Sequence, residues 1–288
     1  MTRSARRWSG EWGRVLPPEE DVEVDVLIPT VGRIPELAAT LAGLAAQDAP
    51  RFGVIIGDQS SDAATARHPV IASLLRVLEA EGHPVSVLPH TERRGLAEHR
   101  QFLLDRASAP AVLFLDDDVW LEPGALERMH DALRELGCGF VGQAVQGLSY
   151  LPDRRDHEAR SFELWDGPVN PERIRPDSPE FERWRLHNAA NLAHVASRLE
   201  VPDGGWRAYR IAWVGACVLF DRRALVECGG FGFWRDLPTD HAGEDVVAQW
   251  RVMERYGGAG LVPSGAVHLE SPTTVTDRRT EASRALRV

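Results

Sequence analysis

The apolar positions alternate between two rhythms along most of the chain. Val22 to Ile28 runs as a strand and is halted at Pro29-Thr30-Val31-Gly32-Arg33. Pro35 then occupies a first helical turn, with Leu37, Leu41 and Leu44 at helical spacing. A second strand, Phe52 to Ile56, ends at Gly57-Asp58-Gln59-Ser60 and is followed by a helical stretch over Val70 to Leu78. Val85 to Leu88 reads as a short third strand, Gly95 to Ala107 as an amphipathic helix, and Ala111 to Leu115 as a strand buried on both faces. Strand and helix repeating at this spacing predict right-handed crossovers and a doubly wound, mostly parallel sheet flanked by helices, an α/β fold. Such a sheet takes ligands outside the carboxyl ends of its strands, where Thr30, Asp58 and Asp116 fall.

The second half is less regular. A helix is expected from Gly124 to Gly137, with Leu126, Met129 and Leu133 facing inward, and a strand over 140–150. Residues 152–205 mix Pro, Asp, Arg and Trp, with one helix expected around Arg183 to Arg198. Trp213 to Phe220 reads as a strand, Arg222 to Cys228 as a helix, Glu244 to Tyr256 as a helix and Gly260 to Leu269 as a final strand. The boundaries that follow are an irregular arm at 1–20, a first half at 21–150, a second half of the same domain at 151–275, and a loose tail at 276–288.

Composition narrows the function. With 33 basic and 43 acidic residues the formal charge is −10, which argues against general nucleic-acid binding. Every basic residue other than histidine is arginine, so no step can use a lysine nucleophile. Cys138, Cys217 and Cys228 form an odd set without metal-ligand spacing and read as free thiols in a reducing compartment. No apolar run approaches the ~20 residues of a membrane span, and the N-terminus lacks a secretory core. A cytoplasmic enzyme is expected, with peripheral attachment to the inner face of a membrane left open.

Chemistry gathers at Asp116-Asp117-Asp118, which the strand from Ala111 runs into. Three anions about 5 Å apart repel by about 3 kcal/mol per pair at an effective dielectric near 20, before screening. A solvated surface run tolerates that. Alternatively a hard divalent cation, Mn²⁺ or Mg²⁺, neutralises them together with substrate phosphate oxygens. Gly243-Glu244-Asp245 opens a helix, where carboxylates are ordinary but where a general base also fits. His268 is one more metal-ligand candidate, Asp58 a candidate for a base or ribose hydrogen bond, and Arg93-Arg94-Gly95 a candidate phosphate contact. No P-loop or dinucleotide fingerprint occurs.

Ile28-Pro29-Thr30-Val-Gly32-Arg33, Ile56-Gly-Asp58-Gln-Ser60, Arg94-Gly95-Leu-Ala-Glu-His-Arg100, Leu113-Phe-Leu-Asp-Asp-Asp118, Gly215-Ala-Cys-Val-Leu-Phe, Gly229-Gly-Phe231 and Gly243-Glu-Asp245 occur in one order. Over residues 22–270 that order resembles the family 2 glycosyltransferases of the GT-A fold. The resemblance implies transfer of one sugar from a nucleoside diphosphate donor, by family habit a UDP-sugar, to an acceptor hydroxyl. Pro29, Thr30, Gly32, Arg33, Asp58, Ser60, Arg94, Gly95 and Arg100 would then surround the nucleotide. Asp116 and Asp118 match an Asp-x-Asp motif, the first towards the ribose and the second on Mn²⁺ or Mg²⁺. Asp117 is counted with the donor-binding residues, although alternation along an extended chain would turn it away. His268 matches a late metal-binding histidine, and Asp245, beside Glu244, matches the base of inverting members. His99-Arg100-Gln101 departs from the usual Ala-Arg-Asn, and no Gln-x-x-Arg-Trp motif follows Glu244-Asp245. The acceptor is open among cell-envelope glycan, lipid carrier, metabolite and protein. A sugar-phosphate nucleotidyltransferase and an inactive nucleotide-sugar-binding module are the alternatives.

Overall fold

Strands form where the period-two runs end in turn residues, and helices where leucines recur at helical spacing. The computed structural model describes residues 9–13, 21–187, 189–273 and 279–288. Most of the expected arm, 1–8 and 14–20, lies outside them, and Ser9–Glu11 form a single 3₁₀ turn. The first half gives β1 (Val24–Thr30), α1 (Ile34–Ala45), β2 (Phe52–Asp58), α2 (Ala64–Arg67), α3 (Pro69–Ala80), β3 (Val85–Pro89), α4 (Leu96–Leu104), β4 (Ala111–Leu115), β5 (Val119–Leu121) and α5 (Ala125–Leu136). The second gives β6 (Phe140–Gly142), α6 (Ala189–Ala196), β7 (Arg207–Tyr209), β8 (Cys217–Asp221), α7 (Arg222–Glu227), α8 (Glu244–Tyr256), β9 (Gly258–Val262), β10 (Ala266–His268) and α9 (Ala282–Ala285).

Eight strands join one sheet in the order β3-β2-β1-β4-β8-β6-β9-β7. The β3-β2-β1-β4 run and the β6–β9 pair are parallel, whereas β8 and β7 run antiparallel to their neighbours. The architecture is the expected α/β one, with helices on both faces. Alternate strand residues serve the two faces: Val24, Val26 and Ile28 pack with Leu37, Leu41, Ile71, Leu75 and Met129. Leu27, Ile55, Val112 and Phe114 pack with Leu103, Leu225, Val247 and Val252 on the opposite side. β2 and β4 flank β1 on either side, which opens a crevice beyond its carboxyl end. No helix among the described residues is long and apolar enough to cross a membrane.

Four differences from the sequence reading bear on the site. The strand expected at 140–150 stops at Gly142, and the chain beyond it bridges to β10 through Gln146 and Val267. The strand expected from Trp213 begins only at Cys217, because Ala216 takes a left-handed φ of 65°. The run from Gly260 to Leu269 is divided at Pro263, whose missing N–H cannot serve a ladder. Its second piece, β10, leaves the large sheet and pairs antiparallel with β5. In place of a loose tail, residues 279–288 dock on the body. Ala242 N–H donates to the Thr280 carbonyl (3.0 Å), Ala282 N–H donates to the Ala242 carbonyl (2.8 Å), and Ala282 is fully buried. Residues 276–278 lie outside the described set.

Candidate active site

β1 and β4 end, and β5 begins, around one open cleft of about 820 Å³, closed on its far side by the turn before α8. Asp116 leaves β4, and its N–H donates to the Ala216 carbonyl (2.9 Å). Residues 117 and 118 form a turn rather than continuing the strand, so side-chain alternation does not apply to them. Asp117 therefore does not point away. Its Oδ2 accepts from Thr30 Oγ1 (2.7 Å) and its Oδ1 from Arg33 Nη1 (3.0 Å). Asp118 Oδ2 accepts from Arg33 Nη2 (2.8 Å) and faces His268 Nε2 at 3.3 Å.

Strand register brings His268 there. It pairs with Val119 across β10 and β5, and Leu269 N–H donates to the Asp118 carbonyl (2.9 Å). His268 Nδ1 accepts from Glu270 N–H (2.8 Å), which leaves Nε2 as the hydrogen-bearing nitrogen turned towards Asp118.

A second cluster sits deeper. Arg100, in the middle of α4, donates from Nε to Glu244 Oε1 (3.1 Å) and from Nη2 to Asp116 Oδ1 (3.0 Å). It is 4% exposed, with its guanidinium over the Phe114 ring. Burial, with Asp245 next to it, pushes Glu244 up to about 7 against the pull of Arg100. Burial likewise raises Asp116, and it pushes Asp117 up to about 7 although Thr30 and Arg33 oppose the shift. Asp118 goes the other way: burial is outweighed by His268 and Arg33, which hold it below the usual carboxylate range. Asp245 opens α8 half-buried at the cleft wall. A Cβ on Gly215 would lie 3.6 Å from His187 and 3.9 Å from Asp245 Oδ2, so this glycine leaves a gap between the two.

Several expected residues are elsewhere. Asp58 is fully buried, with Oδ1 accepting from Ser60 N–H and Oγ and Oδ2 from Ala66 N–H; it and Ser60 shape the turn after β2 and do not line the cleft. Gly32 donates its N–H to Thr65 Oγ1. Arg94 pairs with Glu92 and lies over Trp234, so Arg93 is the cleft residue of that pair. At the N-terminus of α4, His241 Nε2 accepts from Ala97 N–H and packs against Gly95, so that one N–H is already taken. Pro29, Thr30, Arg33, Gly95, Arg100, Asp116, Asp117, Asp118, Glu244, Asp245 and His268 do line the cleft. The sequence reading missed Gln59, His187, Asp240, His241 and Glu281 there. Nothing local marks Glu281, which the docked C-terminal segment carries in.

Residues 25–197 match the family described as Glycosyl transferase family 2. The chain belongs to that family. Over 128 residues this chain is 30% identical to the succinoglycan biosynthesis protein ExoM of Rhizobium meliloti (strain 1021), covering 43% of the chain and 39% of ExoM. It therefore spans well under half of that relative. The fold is shared with the mannosyltransferase PcManGT of Pyrobaculum calidifontis, solved with GDP-Man and Mn²⁺, at TM-score 0.53 and 17% identity over 92% of this chain and 64% of that one. It is shared also with residues 1–349 of S. aureus TarS, solved with UDP-GlcNAc, at TM-score 0.52 and 14% identity over 88% and 60%. At these identities the likeness establishes a GT-A fold.

The cleft is strongly acidic. Asp116, Asp117, Asp118, Asp240, Glu244, Asp245 and Glu281 face Arg33, Arg93 and Arg100. Asp118 offers hard carboxylate oxygen beside an imidazole, a donor set that suits Mn²⁺ or Mg²⁺. No group of three His, Cys, Asp or Glu among the described residues forms a cage.

Proposed function

We propose that this glycosyltransferase moves one sugar from a nucleoside diphosphate donor, a UDP-sugar by family habit, to an acceptor hydroxyl with inversion at the anomeric carbon. The observation that carries this reading is one cleft in which Asp116-Asp117-Asp118 and Glu244-Asp245 share a wall through Arg100. Seven carboxylates against three guanidiniums would repel a diphosphate, so the reading includes a divalent cation, Mn²⁺ or Mg²⁺, on Asp118. When bound, that ion offsets charge on the leaving diphosphate. The donor lies along Pro29, Thr30, Gln59 and Arg93, with Asp116 on the ribose side. Asp58 has no part in the contact, since its oxygens serve the β2 turn. His268 holds Asp118 by donation and becomes a ligand only by giving up the bond from Glu270.

Asp245 takes the acceptor proton. Trp213, His187 and the gap left by Gly215 form the acceptor side next to it. An aromatic face at that place suits a sugar or an apolar aglycone. The proposed division of labour keeps residues 21–150 on the donor and 151–275 on the acceptor and the base. Donor hydrolysis and transfer are measured by nucleotide release over UDP-, GDP- and dTDP-sugars. Asp245→Asn should leave donor binding by calorimetry intact and lower turnover about 10²–10⁴-fold. Near-normal turnover in that variant rejects Asp245 as the base, and binding without release for every donor in the wild type identifies an inactive binding module.

A further inference from the structure

Arg33 holds Asp118 Oδ2, one of the two oxygens that Asp118 could offer a cation. Its guanidinium donates to Asp117 Oδ1, to Asp118 Oδ2 and, at 3.4 Å, to the Pro272 carbonyl. The residue hangs from the loop between β1 and α1, after Gly32 at φ +69°, and its side chain is 14% exposed. Both carboxylates keep another partner without it, Thr30 on Asp117 and His268 against Asp118. Arg33 can therefore leave without stranding a buried charge.

We propose that Arg33 is a resident counter-cation that competes with the divalent metal for Asp118 and moves to the donor's diphosphate when metal and nucleotide arrive together. This rests on the metal-dependent reading above. A guanidinium and a divalent ion on one carboxylate oxygen repel each other, so metal binding to the empty cleft is held weak. A diphosphate relieves the conflict from both sides: it gives the planar guanidinium a new bidentate partner and gives the metal phosphate oxygens. Each ligand then strengthens the other by the same factor. Arg33 makes the cleft select the metal–nucleotide pair over either component.

The test is Mn²⁺ binding to the full chain, read from the electron paramagnetic resonance signal of free Mn²⁺, alone and with saturating UDP or GDP. In the wild type one of the nucleotides should tighten Mn²⁺ about tenfold or more. Nucleotide-free Arg33→Gln should bind Mn²⁺ about tenfold tighter than nucleotide-free wild type, and the nucleotide should then add correspondingly less. Arg33→Lys, whose ammonium cannot span two carboxylates, should fall between them and serves if the glutamine variant does not fold. Unchanged Mn²⁺ affinity with undiminished coupling in the Arg33 variants overturns the proposal. Asp118→Asn separates the two ideas. Binding lost in Asp118→Asn but unaltered by the Arg33 changes defeats only the role of Arg33. Binding equal in wild type and Asp118→Asn, or absent from the wild type with both nucleotides, defeats the metal reading itself.

Discussion

Arg33 and Arg100 each bridge two carboxylates through bonds between 2.8 and 3.1 Å, yet their surroundings differ in every other respect. Arg100 projects from the middle of a helix, lies over Phe114 and is nearly inaccessible. Its partners Asp116 and Glu244 lie far apart in the chain, so the arginine ties the end of β4 to the start of α8. Arg33 hangs from a loop at the cleft surface, and its partners are adjacent in sequence and separately held. Two ion pairs of like geometry thus have unlike duties. The buried one fixes the distance between the carboxylate triplet and the proposed base, and the shallow one is free to be exchanged.

The comparison breaks most readily at Arg100. Arg100→Met keeps the stem but strands the buried Glu244 and unpairs Asp116, whose side chain is 33% exposed, which should cost up to about 3–5 kcal/mol of unfolding free energy by denaturant titration. A loss below about 1 kcal/mol, the range of exposed pairs, would make the two bridges equivalent. A smaller effect should come from His99, one residue earlier on α4. Burial, with the charges of His90 and Arg100, lowers it to about 3, so the folded state keeps it neutral where the unfolded chain, at 6.5, takes a proton. Stability from this residue is complete above pH 6.5 and is lost as pH falls towards 3. Melting temperatures across that window should drop more steeply for wild type than for His99→Phe, and parallel curves would show that the environment of Arg100 is wetter than its burial indicates. The smallest change in stability should be that of Arg33→Gln, because Asp117 and Asp118, although buried, keep Thr30 and His268 as partners. A loss as large as that of Arg100→Met would remove the distinction between the bridges.

Much of this arrangement was legible in the chain. Apolar runs ending near Thr30, Asp58 and Asp116 mark strands whose carboxyl ends meet, and Gly243-Glu244-Asp245 marks a helix start bearing carboxylates. Asp58 shows where such reasoning stops. It is the last residue of β2 rather than a residue past the strand, and whether its oxygens face a ligand or the turn's own N–H groups depends on how residues 60–66 fold back. Asp117 shows the same limit, since the alternation rule applies only while the chain stays extended.

The sequence by itself determined the order of elements, the α/β class, the acidic triplet at a strand end and the ordered motifs of the family. Those are local properties, set by side-chain period and by residues that stop a strand or start a helix. Tertiary structure alone decided that Arg33 closes on Asp117 and Asp118 and that Arg100 locks Asp116 to Glu244. It also decided that His268, 150 residues beyond Asp118, reaches it through the register of β10 on β5, and that the C-terminal segment carries Glu281 into the cleft. These contacts join segments far apart in the chain, and their partners are chosen by strand register, turn conformation and burial, none of which leaves a repeating trace in the amino-acid pattern.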